Sequence, residues 1–182
     1  MPLYPNELVT TDPLPLYPQA PALPVVPSLP ALPPILPPTN SSVSILSWEE
    51  IRPMVSGQNT QISVFDILTG TTYQMIIFSA GNHADVIPAS PEDTDRLFET
   101  FGHEWSWEVR PVWVTIGDLR VAASINGQPH GDVDHNHYEK NHLEGHVCLH
   151  FFGSTVHNGN LEFAQLHQDI LIESFLLGQN LA

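Results

Sequence analysis

Positive charge and sulfur are both scarce in this chain. Five Lys and Arg stand against 20 Asp and Glu, giving a formal net charge of −15 over 182 residues, and the first basic side chain is Arg52. So acidic a surface repels phosphates, which excludes nucleic acid and anionic membrane surfaces as expected partners. A single cysteine, Cys148, rules out an internal disulfide framework. No run approaches the roughly 20 apolar residues of a membrane span, so no membrane insertion is expected. The N-terminus also lacks the basic segment and uninterrupted apolar stretch of a Sec signal.

Proline is sparse after residue 40 because it is concentrated before it. Thirteen of 18 prolines fall in residues 1–40, and Pro15, Pro18, Pro21, Pro24, Pro27, Pro30 and Pro33 recur at every third position. Polyproline II has three residues per turn, so this spacing stacks the rings along one side of an extended rod. Leu23, Val26, Leu29 and Leu32, each just before a proline, form a second, apolar side. Residues 1–42 therefore read as an extended polyproline II arm. Residues 15–36 are expected to dock on a protein partner or self-associate, the alternative being a stiff spacer.

Residues 43–182 read as one globular domain. Gln61–Leu68 and Thr71–Phe78 are strand-like runs around a hairpin signal at Thr69-Gly70. Ser90-Pro91-Glu92-Asp93 predicts a capped helix over 91–101 that stops at Gly102. Strands follow at 110–116 and 119–125. A last helix over 161–177 carries Leu166, Ile170, Leu171 and Phe175 at helical spacing and ends at Gly178. The expected class is mainly β (α+β): a mixed β-sheet or sandwich with two flanking helices.

The lone thiol stands in Gly145-His146-Val147-Cys148-Leu149-His150-Phe151. Alternation places His146, Cys148 and His150 on one face of a strand, with Val147, Leu149 and Phe151 on the core face. A thiol between two imidazoles supports either a reactive thiolate or a metal site. Seven of the 10 histidines lie within residues 130–157. His130-Gly131 follows a predicted strand at a turn whose glycines are expected to admit a substrate backbone. His135, His137 and His142 read as solvated loop residues. Trp105 and Trp107 alternate, one of them expected in the core.

His130-Gly131, a loop, and then Gly145-His146-Val147-Cys148-Leu149-His150, with 18 positions from His130 to Cys148, resemble L,D-transpeptidase catalytic domains of the YkuD type. The resemblance covers about residues 110–157, roughly a quarter of the chain. It implies Cys148 as nucleophile on a peptidoglycan stem-peptide carbonyl, His146 as the base and His130 across the cleft placing the carbonyl. His150, Gly131, Ser154, His157, His83 and Asp85 are the expected substrate-side residues. Two positions depart from the family motif: Gly145 replaces Ser, and Val147 replaces Gly, where a side chain is expected to crowd the oxyanion amides.

The expected activity is thus a cysteine L,D-transpeptidase or peptidase needing no cofactor. One alternative is a zinc-dependent peptidoglycan peptidase or amidase with His130, His146, Cys148 and His150 as ligands. Another is a non-catalytic assembly protein acting through its arm. A wall substrate without a Sec signal points to a phage or phage-like particle acting at the bacterial cell wall, and otherwise to the cytoplasm.

Overall fold

The computed structural model describes residues 42–56, 59–131, 139–157 and 159–179. The proline arm, its triplet period and the expected docking stretch at 15–36 lie outside the described residues, as do His135 and His137. From Ser42 onward the chain forms α1 (Trp48–Val55), β1 (Thr60–Asp66), β2 (Thr71–Ala80), β3 (Ala84–Pro88), α2 (Pro91–Thr100), β4 (Val109–Ile116), β5 (Leu119–Asn126), β6 (Val147–His150) and α3 (Leu161–Gln179). None of these helices is long and apolar enough to cross a membrane.

Local chemistry explains most of these elements. The β1–β2 hairpin turns at Gly70 (φ +72°), where the Asp66 carboxylate accepts from the Thr69 amide and hydroxyl at 2.8 and 2.9 Å. Ser90 caps α2 by accepting from the Asp93 amide, Pro91 fills the first turn, and Gly102 (φ +69°) ends it. Ser47 and Glu50 form a reciprocal capping box on α1.

The six strands close into a barrel in the order β1-β2-β3-β6-β5-β4, with every ladder antiparallel. This corrects the expected mixed sheet or sandwich. Period-two alternation tells which residues face the core, but not that β1 pairs with both β2 and β4 and so closes the sheet. Ile62, Val64, Tyr73, Met75, Ile77, Val86, Val112, Val114, Val121, Ile125, Val147 and Leu149 pack in one core cluster. Inside the strand ends, Arg110 donates to Asp66 through Nε and Nη2 at 2.8 and 2.9 Å.

Two elements escaped the sequence reading. α1 is short and carries Pro53, and β3 is buried on both faces, so neither displays a period. α3 runs through Gly178 rather than ending there, and the glycine serves close packing instead of a helix stop: an added Cβ would meet Val43 Cγ2 at 2.5 Å. Its buried seam is His167, Leu171, Ser174 and Gly178, while Leu166, Ile170 and Phe175 are only half-buried. A polar seam suits the surface it meets: Ser174 donates to the Val112 carbonyl at 2.7 Å and receives the Trp113 indole N–H on its own carbonyl at 3.0 Å.

Candidate functional site

Val147, Leu149 and Phe151 enter the core, so His146, Cys148 and His150 project from the outer surface of the barrel, as alternation predicts. That surface is not open to solvent. Loop 153–157 folds over it, stitched by Thr155 N–H to the Asn82 carbonyl at 3.0 Å, and α3 covers the β5 side. Cys148 is 3% exposed.

Pairing registers assemble the site. Asp85 on β3 lies directly opposite Cys148 on β6, and Ser124 on β5 lies opposite His150. Beyond β6, His130 and His146 form an isolated antiparallel bridge with both backbone hydrogen bonds at 2.9 Å. The two glycines make that bridge possible. At Gly145 (φ +80°) a Cβ would meet the His130 carbonyl oxygen at 2.6 Å, and at Gly131 (φ +69°) it would strike the His146 ring at 2.6 Å. Gly131 thus admits a neighbouring imidazole, not the substrate backbone expected there. β2 bulges between Ile77 and Ser79, and Phe78 meets the edge of His146 at 5.6 Å.

Cys148 Sγ lies 3.3 Å from His130 Nε2, and His130 Nδ1 lies 2.8 Å from the Gln128 carbonyl oxygen. A carbonyl only accepts, so Nδ1 carries the proton and Nε2 presents its lone pair to the thiol. Trp107 packs on His130 at 4.9 Å and is 39% exposed, whereas Trp105 packs against the core.

Asp85 Oδ1 is the hub of the remaining imidazoles: His83 Nε2 and His157 Nε2 at 3.2 Å, His146 Nε2 at 3.5 Å. His83 donates through Nδ1 to the Thr155 carbonyl at 2.6 Å. The His83, His150 and His167 rings form a parallel stack, with centroids 4.3 and 3.7 Å apart. His167 also meets the Ser124 hydroxyl at 3.0 Å. The sequence reading missed His167; its one signal was a histidine four residues before Leu171 on the buried side of a helix.

Charge is redistributed accordingly. Burial opposes a Cys148 thiolate, but the rings of His130, His146, His150 and His83 overcome it and hold the thiol far below its ordinary range. Burial likewise disfavours an imidazolium at His83, yet Asp85 and Cys148 push it up to about 10. His130 is raised, against burial, by Cys148 and the Gln128 carbonyl. His150, 1% exposed, is pushed down to about 4 by burial. It is therefore neutral at pH 7 and enclosed by rings, which does not suit its expected place on the substrate side.

Ser154 is 3% exposed and accepts from the Phe151 amide at 3.0 Å, so it shapes the turn instead of lining a cleft. The Val147 side chain lies wholly in the core and does not stand on the thiol's face. His142 lines a separate cavity of about 360 Å³ with Trp105, Gln128, Pro129, Leu143 and Glu144. Several ring nitrogens remain without a hydrogen bond among the described residues: both of His150, Nδ1 of His146 and Nε2 of His167, while Nε2 of His83 and of His146 have only the Asp85 carboxylate.

No protein-family model, curated protein or solved structure matches this chain.

Proposed function

We propose that the chain performs thiol-mediated acyl transfer, with Cys148 attacking an amide carbonyl of a peptidoglycan stem peptide. The observation that carries this reading is the relay from Cys148 Sγ to His130 Nε2 at 3.3 Å and from His130 Nδ1 to the Gln128 carbonyl at 2.8 Å. The stem peptide as substrate rests on the likeness of His130-Gly131 and His146-Val147-Cys148 to the L,D-transpeptidase motif.

The relay favours exchanging the two histidine roles expected from the sequence. His130 takes the thiol proton, its tautomer fixed by Gln128, while His146 stands beside Asp85. The thiolate forms a C–S bond to the carbonyl carbon, the C–N bond breaks, and His130 returns its proton to the departing amine. An acceptor amine or water then attacks the thioester, releasing the sulfur as thiolate. His157 and His146 offer ring nitrogens within 4.8 Å of the thiol and are the candidate side-chain donors for a developing oxyanion. Substrate reaches Cys148 past His157, whose side chain is 50% exposed, and Trp107.

Incubation of the full chain, in chelator, with a disaccharide-tetrapeptide should give a thioester adduct on Cys148 by intact mass and peptide mapping. Cys148→Ser should abolish it, and His130→Gln should lower its rate by about 100-fold or more. Adduct formation at full rate in His130→Gln defeats the relay. No adduct with any stem peptide, from a thiol that alkylates only at alkaline pH, defeats the acyl-transfer reading.

A further inference from the structure

The side chains around the thiol are more numerous than a nucleophile and its base require. His130, His146, Cys148 and His157 each offer one donor atom, and these four atoms lie within 4.8 Å of one another. A second observation points to a ligand among them. His146 is 8% exposed; its Nδ1 has no hydrogen-bond partner among the described residues, and its Nε2 has no hydrogen bond either, only the approach to the Asp85 carboxylate at 3.5 Å. Buried polar nitrogens are rarely left in that state without something to bind.

We propose that this cluster is a zinc site, in which Cys148, His130, His146 and His157 hold the ion and Asp85 faces them as the carboxylate that orients the rings. One thiolate with imidazoles is the donor set of a borderline-soft divalent cation, and magnesium or calcium would demand oxygen ligands instead. Charge closes as well, since the thiolate and the Asp85 carboxylate together neutralise a divalent ion. Asp85 Oδ1 lies 3.2 Å from His157 and 3.5 Å from His146, the reach of a carboxylate that orients metal-bound histidines.

Four protein donors complete a tetrahedral shell and leave no position for an activated water. The bound ion therefore occupies the thiol and does not itself catalyse, so zinc loading is a resting state that silences Cys148. Cysteine ligates as thiolate and histidine as neutral imidazole, so zinc affinity falls as pH falls. His157, the most exposed of the four, is the ligand whose departure would reopen the thiol.

The test uses the full chain stripped with chelator and titrated with zinc under equilibrium dialysis, with cobalt as a spectroscopic probe. One zinc per chain is expected, with a thiolate-to-cobalt charge-transfer band, and zinc should protect Cys148 from iodoacetamide. Cys148→Ser should remove the charge-transfer band, and His157→Ala should weaken zinc binding by about 100-fold; Asp85→Asn should weaken it by about 10-fold. His157→Ala is the informative variant, because a half-exposed side chain is removable without unfolding the barrel. Zinc that binds with unchanged affinity in His157→Ala and Cys148→Ser, or cobalt without a sulfur band, overturns the site. No zinc binding by a chain whose thiol still forms the acyl adduct also overturns it and leaves the acyl-transfer reading standing. Tight zinc with no adduct in chelator does the reverse.

Discussion

The barrel holds two clusters of buried charge, one inside its wall and one on its outer surface. Inside, Asp66 is fully buried and accepts four hydrogen bonds, from the Thr69 amide and hydroxyl and from Arg110 Nε and Nη2. Arg110 lies over the Phe101 ring at 5.3 Å, and its third nitrogen reaches Glu108 at 3.3 Å. Outside, Cys148 and Asp85 sit among His83, His130, His146, His150, His157 and His167, and four ring nitrogens of that group, Nδ1 of His146, both of His150 and Nε2 of His167, are buried without a hydrogen bond among the described residues. In a saturated pair the hydrogen bonds offset the desolvation cost of burial and leave nothing to offer a ligand. A cluster with vacant donors and acceptors is under-determined by the fold and is available for chemistry. Satisfaction, not burial or charge, separates the structural cluster from the functional one.

Breaking the inner cluster should have the largest effect on stability. Arg110→Met leaves the Asp66 carboxylate buried with only the Thr69 donors, and loss of one partner of such a pair costs about 3–5 kcal/mol. Urea unfolding of the metal-free domain reads this directly. A loss below about 1 kcal/mol would mean that water replaces Arg110 and that the two clusters do not differ as argued.

The outer cluster is expected to show itself in pH dependence. His150 has a native pKa of about 4, below its value of about 6.5 in an unfolded chain. Between those values the unfolded state binds the extra proton, so His150's contribution is present above about pH 6.5 and is lost as pH falls toward 4. Cys148 and Asp85, both lowered, act in the same direction on the acid side. His83 has the opposite sign: raised to about 10, it contributes below about pH 6.5 and is lost as pH rises through 10. The metal-free protein should therefore lose on the order of 2 kcal/mol between pH 7 and pH 4 from His150. His150→Leu should flatten that acid limb, and an equally steep limb in the variant would remove His150 from the account.

The same contrast explains what the sequence made legible. Alternation around Cys148 placed its imidazoles on one face because the strand is short, regular and backed by a core. The 18-residue separation brought His130 beside the thiol, but which imidazole stands closest depended on the Gly131 and Gly145 conformations and on a backbone bridge that no period encodes. Asp85 and His83 were legible only as substrate-side candidates and not as part of a strand, since β3 is buried on both faces and displays no alternation. His167 came from a helix whose strongest apolar spacing lay on positions that proved half-buried. Closure of the barrel is a property of strand order, and strand order between distant segments leaves no mark in a local pattern.

The smallest effect on stability should come from a residue with a large effect on zinc. His157 is half-exposed, and among the described residues it is tied to the fold by a contact to Asp85 at 3.2 Å, open to solvent screening, and by edge-on packing of its ring against His83 at 4.3 Å. An exposed pair of this kind contributes between zero and about 1 kcal/mol, so His157→Ala should shift the unfolding free energy of the metal-free protein by no more than about 1 kcal/mol. Loop 153–157 keeps its other anchors, the Thr155 amide on Asn82 and the Thr155 carbonyl on His83. Chemical denaturation in chelator, repeated with saturating zinc, separates the two contributions: parent and variant should coincide in chelator and diverge with zinc, because an ion that binds only the native state stabilises it in proportion to its affinity. A loss above about 2 kcal/mol in chelator would show that His157 fastens the loop to the barrel, and the outer cluster would then belong with the inner one as part of the scaffold.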